Sequence, residues 1–178
     1  MRGNPKQQQA IPRSIGLMGK VTRQPLLWVA ATAGMAATGD KGKRAALRGT
    51  GCYLVGAAVG NLPKPLFGRP QPRHRWARKP QVIRGSFPSG HACAEVAFVF
   101  GATQEAPLAF WPFGTMAMLA HLALTRDGKH YVTDTLVGGT IGVLIALYAA
   151  RRWPTEYTRR VGLNGSEAKP RLEPVPAS

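Results

Sequence analysis

Two histidines in this sequence stand in settings that suit acid–base or nucleophilic chemistry. His91 follows Ser89 and Gly90 in the stretch Pro-Ser-Gly-His, directly before an apolar run. His130 precedes Asp134 by four residues, at the start of another apolar run. A histidine beside a carboxylate is a good nucleophile or proton carrier, because the carboxylate fixes the ring tautomer and stabilises the charged imidazole. His91, His130 and Asp134 are therefore the candidate catalytic residues.

The residue types around these histidines favour an anion as the bound group. The basic stretch at 64–84 contains Lys64 and Arg69, and guanidinium and ammonium groups both bind phosphate oxygens. Ser89 and Gly90 predict a helix start, where free backbone N–H groups and the helix dipole attract an anion. Two plainer interpretations remain open: Ser89 as a simple helix N-cap, and the basic loop as a non-specific binder of lipid head groups.

The spacing of His130 and Asp134 predicts a direct contact between them. On a helix, residues four apart share one face, so the carboxylate would accept the ring N–H of His130. The same spacing also occurs in ordinary surface pairs. An acidic residue entering an apolar segment is less ordinary, because ionisable groups at the edge of lipid are costly and are commonly functional.

Segments almost free of charge alternate with basic stretches along the chain. Lys and Arg outnumber Asp and Glu 24 to 8, and the apolar segments are 24–39, 45–62, 92–110, 107–124 and 131–150. Each approaches the roughly 20 residues needed to cross a bilayer. This pattern predicts an all-α integral membrane bundle with about five transmembrane helices. A soluble all-α protein is the alternative, but no segment carries the charged stripe of a water-facing helix.

The composition divides the chain into three parts. Residues 1–20 form a basic N-terminal segment that suits a helix lying on the membrane. Residues 21–153 form the membrane-embedded domain, and residues 154–178 form a polar tail that is expected to be disordered.

Small residues indicate how the predicted helices pack. Gly56 and Gly60 are four residues apart, as are Gly138 and Gly142, and this spacing allows close helix contact in lipid. The two cysteines lie in apolar segments without metal-ligand spacing, and we expect them to be small core residues.

The predicted topology brings the separate motifs together. If five helices alternate across the membrane, the basic loop at 64–84, His91 and His130 all lie at one membrane face. The charges at 40–44 and in the tail lie at the opposite face. If the loop charges bind phosphate, the remaining Lys and Arg place the tail in the cytoplasm and the active site outside the cell membrane.

The order of these motifs, over residues 40–150, resembles the type 2 phosphatidic acid phosphatase superfamily. That superfamily includes membrane lipid phosphatases, soluble acid phosphatases and vanadium haloperoxidases. The resemblance implies a phosphatase that needs no metal or other cofactor, in which His130 attacks phosphorus and Asp134 orients His130. His91 would protonate the leaving oxygen and later activate water. Phosphate oxygens would be held by Lys64, Ser89, Gly90 and an arginine.

Two arginine positions depart from the family pattern. The first motif has Lys, six residues and then Arg-Pro, but Gln71 stands where the arginine is expected from Lys64, and Arg69 lies two residues earlier. The third motif separates Arg from His by five residues, whereas three residues separate Arg126 from His130. Arg69 and Arg126 are the candidate phosphate-binding arginines.

The function expected is dephosphorylation of a lipid-linked phosphate or diphosphate through a phosphohistidine. Phosphatidic acid, phosphatidylglycerol phosphate and a polyprenyl diphosphate are equally compatible substrates. Membrane lipids are the expected partners, and nucleic acid is not. The alternatives are a vanadate-dependent haloperoxidase-like enzyme and a non-catalytic basic membrane protein that binds anionic lipid.

Overall fold

The computed structural model describes residues 13–22, 24–67, 69–72 and 85–162. In these ranges the chain is helical and contains no strand, so the all-α prediction is confirmed. The helices are α1 (Arg13–Thr22), α2 (Pro25–Ala36), α3 (Asp40–Asn61), α4 (Lys64–Phe67), α5 (Gly90–Thr103), α6 (Phe110–Arg126), α7 (Val132–Arg152) and α8 (Glu156–Arg160), with a 3₁₀ turn at Pro107–Ala109.

Helix α5 is the centre of the bundle and packs between α3 and α7. Its sequence is rich in Ala and Gly, and most of its residues are buried. The glycines at four-residue spacing lie in these contacts. A Cβ at Gly56 of α3 would lie 2.8 Å from Cys93 O, and one at Gly142 of α7 would lie 2.6 Å from the same oxygen. The predicted close packing through small residues is therefore confirmed, and both cysteines are buried.

Among the described residues, two helices are long and apolar enough to cross a membrane, namely Pro107–Arg126 and Val132–Arg152, with mean hydropathy 1.3 and 1.6. The expected count of five is not confirmed. The predicted span 92–110 is not one helix, because α5 ends at Thr103 and a turn follows. With 14 residues, α5 is only about 21 Å long, against about 30 Å for the hydrocarbon core. Helix α3 is long enough, but its first turns are strongly charged.

The end of the bundle opposite the histidines is tied by a polar network. Arg48 of α3 donates to Gln104 Oε1 at 2.6 Å and to Ala149 O of α7 at 2.8 Å. Gln104 Nε2 donates to Ala146 O at 2.7 Å, and Thr155 Oγ1 donates to Gln104 O at 2.7 Å. Three helices and the start of the tail are thereby joined.

The tail expected to be disordered from residue 154 instead begins with α8. Thr155 caps this helix by accepting a hydrogen bond from Thr158 N at 3.0 Å, and Thr158 is fully buried. The anchor that sequence reasoning missed is the Thr155 hydroxyl on the end of α5. Residues 163–178 lie outside the described residues.

Helix α1 falls in the basic N-terminal segment, where a helix is expected. It packs on α6, with Gly19 against the backbone of Leu119. Residues 1–12, like 73–84 of the basic loop, lie outside the described residues.

Candidate active site

His130 lies in the loop between α6 and α7 and is almost completely buried. Its Nδ1 is 2.8 Å from the carbonyl oxygen of Ser86. A carbonyl only accepts, so Nδ1 carries the proton and, in the neutral ring, Nε2 keeps its lone pair. Burial lowers the pKa of His130, and the nearby cations of Lys64 and Lys129 lower it further, against the opposing effects of the Ser86 bond and Asp134. The neutral, nucleophilic form is therefore favoured.

Asp134 does not take the position expected beside His130. Helix α7 begins at Val132 with Tyr131 as its N-cap, so His130 precedes the helix and the four-residue rule does not apply. Asp134 Oδ2 instead accepts from Tyr131 N at 2.9 Å. Its Oδ1 accepts from Arg69 Nη1 at 2.6 Å. The predicted hydrogen bond between His130 and Asp134 is therefore wrong. The ring N–H of His130 donates to the Ser86 carbonyl and not to the Asp134 carboxylate.

Arg69 lies in the described part of the basic loop and reaches this site. Besides its bond to the fully buried Asp134, its guanidinium lies 4.2 Å from the centre of the Tyr131 ring. Its side chain is 40% exposed, so it is held on one side and open on another. A guanidinium has five N–H donors, which leaves donors for an anion. Of the two arginine positions left open by the sequence, Arg69 lies at Asp134, whereas Arg126 ends α6 at the same end of the bundle.

Ser86 connects the basic loop to His130. Its N–H donates to Arg69 O at 2.8 Å, and its hydroxyl lies 3.3 Å from Arg69 O and 3.2 Å from Pro70 O. Its carbonyl holds His130. Sequence reasoning missed Ser86, and the only available signal was its place three residues before Ser89 in the same motif.

Ser89 is the N-cap of α5, and its hydroxyl accepts from Ala92 N at 3.3 Å. Its own N–H donates to Asp134 O at 3.1 Å, which fixes the start of α5 against α7. The structure therefore confirms the plainer interpretation, in which Ser89 is a helix N-cap. The N-terminus of α5 still lies beside the histidines, because the ring centres of His91 and His130 are 6.5 Å apart and His91 is exposed.

Lys64 is anchored at the same place by Asn61. Its Nζ donates to Asn61 Oδ1 at 2.6 Å, and burial lowers the pKa of Lys64. Asn61 also packs on Gly90, where a Cβ would lie 2.6 Å from Asn61 Oδ1. A glycine at position 90 therefore leaves room for the residue that positions Lys64.

A nucleophilic and an exposed histidine, two cationic side chains and a helix N-terminus meet the needs of in-line phosphoryl transfer. The fold and the site thus indicate an all-helical protein that is suited to act on phosphate esters. The family model of the PAP2 superfamily matches residues 46–157, and the chain belongs to that superfamily. Membership indicates phosphatase activity on phosphate esters. The comparison with curated proteins and the comparison with solved structures each returned no match.

Proposed function

We propose that this protein hydrolyses a lipid-linked phosphate or diphosphate at a membrane surface through a phosphohistidine at His130. The observation that supports this most directly is the arrangement of the two histidines. The Ser86 carbonyl fixes the tautomer of His130, and the exposed ring of His91 lies 6.5 Å away, centre to centre. A phosphoryl group between the two rings has a nucleophile on one side and a proton donor on the other.

In the first half of the proposed reaction, Nε2 of neutral His130 attacks phosphorus. The bond from phosphorus to the leaving oxygen breaks, and protonated His91 gives its proton to that oxygen. The products are a phosphohistidine at His130, a neutral His91 and the free lipid alcohol or lipid monophosphate.

In the second half, His91 acts as a base. It takes a proton from water while the water oxygen attacks phosphorus, and the bond from phosphorus to Nε2 of His130 breaks. Inorganic phosphate leaves, and both histidines return to their starting protonation states. One water molecule is consumed in each cycle.

The cationic groups would stabilise the negative charge on the equatorial oxygens of the phosphoryl group. Arg69 has one face on Asp134 and the other exposed, and Lys64 adds a point charge held by Asn61. Gly90 and His91 lie in the first turn of α5, where backbone N–H groups lack helical partners. This arrangement of positive groups fits phosphoryl transfer, in which most of the rate acceleration comes from placing positive charge around the phosphate.

The outer surface of the bundle supports a membrane location and a lipid substrate. Large apolar side chains are exposed on several helices, among them Leu54 of α3, Met118 of α6 and Leu144 of α7. Exposed apolar area of this extent on a soluble monomer would be unusual. Together with the two helices of spanning length, it fits an integral protein of the cell membrane.

Release of inorganic phosphate tests the proposal. Purified protein in detergent is given phosphatidic acid, phosphatidylglycerol phosphate, a polyprenyl diphosphate or a soluble phosphate ester, with a chelator present. We expect release from a lipid substrate, and a loss of about 10⁴-fold or more in His130→Ala. Thr140→Ala, on the exposed surface of α7, is the matched control and should keep full activity. Wild-type protein that hydrolyses none of these substrates, or full activity in His130→Ala, would contradict the proposal.

A further inference from the structure

Two ionisable side chains that the proposed reaction does not use are buried between α5 and α6. Glu95 Oε2 and His121 Nε2 are 3.6 Å apart, and the two side chains are only 5% and 11% exposed. Their neighbours on α5 are apolar, including Cys93, Ala94 and Phe98. Burying such groups is costly, and in a membrane bundle they are commonly functional.

The pair lies beneath the active site rather than at the far end of the bundle. Glu95 follows His91 by four residues on α5, which puts it on the same face, about 6 Å deeper along the helix axis. Both His91 and His130 are close enough to act electrostatically on His121. From α3, Tyr53 is the titratable side chain within electrostatic range of Glu95. Glu95 thus has titratable neighbours on α3 and α6, and His121 of this pair is within electrostatic range of both site histidines.

The contacts of His121 differ from those of a purely structural tie. At the far end of the bundle, Arg48 and Gln104 join helices through hydrogen bonds of 2.6 to 2.8 Å. Both ring nitrogens of His121 are buried without a hydrogen-bond partner among the described residues. Its approach to Glu95 is longer than a hydrogen bond and short enough for an electrostatic interaction. The ring therefore lies beside the carboxylate without a hydrogen bond to it, and the group of this pair that can act on His91 through charge is the carboxylate of Glu95.

We propose that Glu95 and His121 are positioning residues that keep His91 protonated, so that it can give its proton to the leaving oxygen. This inference rests on the proposed function. A carboxylate one turn below an imidazole favours the charged ring. His121 packs beside this carboxylate from the neighbouring helix. His91 is then charged when substrate arrives, while His130, beside Lys64 and Lys129, stays neutral.

NMR titration of the histidine rings tests this without requiring activity. Protein labelled at histidine is titrated in detergent micelles, and His91→Ala assigns the His91 signal. In Glu95→Gln we expect the midpoint of the His91 titration to fall by about one pH unit. Glu105→Gln is the matched control, because Glu105 pairs with Arg44 at the far end of the bundle. An unchanged midpoint in folded Glu95→Gln would overturn the inference.

A second variant covers the case in which Glu95→Gln does not fold. His121→Gln places a neutral amide donor beside the carboxylate, which offsets part of its negative charge, and should lower the His91 midpoint by a smaller amount. An unchanged midpoint would again overturn the inference. In the activity assay, the alkaline limb of kcat should move to lower pH in Glu95→Gln, most clearly for substrates with poor leaving groups. Wild-type protein without activity but with the His91 shift would refute the proposed function alone, whereas active protein without the shift would refute the inference alone.

Discussion

At the scale of single residues, two buried groups organise the site. The carbonyl of Ser86 fixes the ring of His130, and Asp134 holds both Arg69 and the first turn of α7. The Asp134 carboxylate therefore bonds directly to Arg69, the cation that would bind phosphate. It acts on His130 only electrostatically. This division of roles changes what each substitution should do.

Replacing Asp134 by asparagine should weaken substrate binding and lower stability together. Asp134→Asn removes the charge that pairs with Arg69 inside the bundle, which should cost about 1–3 kcal/mol of unfolding free energy. It should also raise KM, because Arg69 loses its orientation. Thermal unfolding and steady-state kinetics measure both effects, and Asp40→Asn, in an exposed pair with Lys43, is the control. A fall in kcat with KM and stability unchanged would contradict this role and would instead support the direct His130–Asp134 contact predicted from the sequence.

The acid limb of the pH profile should report His130. The ring must be neutral to attack, and burial together with the Lys64 cation lowers the pKa of His130. Lys64→Met removes one cause of that lowering, so the pKa rises and the acid limb of kcat/KM should move to higher pH. Lys41→Met, at the far end of the bundle, should leave the limb in place. A limb that stays fixed or moves to lower pH in Lys64→Met would contradict this assignment.

Much of the site was predictable because its residue types are chemically unusual in their settings. Histidine and aspartate before apolar runs identified His91, His130 and Asp134. The role of Ser86 was not predictable, because it acts through its backbone carbonyl, which every residue has. The partner of Asp134 was mispredicted because the first residue of α7 decides it, and a shift of two residues in a helix start moves a side chain off the shared face.

At the scale of elements, α5 depends on close approach by its two neighbours. Gly138 of α7 lies against the carbonyl of Ser89, and Gly60 of α3 lies against Gly90, where a Cβ would be 2.9 Å from the Gly90 Cα. Small residues at these points let α3 and α7 meet the start of α5. The same contacts set the distance between His91, on α5, and His130, just before α7.

Adding one methyl group should have different effects at the two adjacent glycines of α7, Gly138 and Gly139. In Gly138→Ala the new Cβ overlaps the Ser89 carbonyl, which is backbone and cannot move aside. We expect a loss of about 1–3 kcal/mol in stability and a large fall in activity. In Gly139→Ala the Cβ lies 3.7 Å from Val96 Cγ2, an ordinary contact, so stability should be unchanged or slightly higher. Equal behaviour of the two variants in thermal unfolding and phosphate release would refute this packing.

The fold class and the helix contacts were predictable from apolar runs and glycine spacing, but the number of spans was not. Hydropathy measures the absence of charge, and a short helix buried among other helices is as apolar as one that faces lipid. Helix α5 is such a case: it has 14 residues, and most of them are buried against other helices. The predicted span at 92–110 joined this helix to the turn that follows it.

At the scale of the whole molecule, charge is distributed between the two ends of the bundle. The end opposite the site carries exposed basic side chains from α3, the end of α7 and α8, namely Lys41, Lys43, Arg44, Arg151, Arg152, Arg159 and Arg160. Basic residues beside membrane helices favour the cytoplasmic side. If the basic residues at the site end bind phosphate, this distribution favours the outward-facing active site predicted from the sequence.

Labelling of single introduced cysteines checks the orientation. Leu66→Cys lies on α4 at the site end and Arg159→Cys on α8 at the other end; the native residues are 85% exposed and exposed, respectively. On intact cells an impermeant maleimide should label Leu66→Cys at once and Arg159→Cys only after permeabilisation. The native Cys52 and Cys93 are buried and should not react. The reverse labelling order would place the active site in the cytoplasm.

The central claim is that His130 carries the phosphoryl group, and trapping that intermediate tests it most directly. Protein is mixed with a radiolabelled lipid phosphate that has a good leaving group, and is quenched after single turnover. In His91→Ala the first step needs little protonation while the second lacks its base, so an acid-labile, alkali-stable phosphoenzyme should accumulate. The double variant His91→Ala/His130→Ala should hold no label. Label retained in the double variant, or absent from His91→Ala while phosphate is still released, would contradict the mechanism.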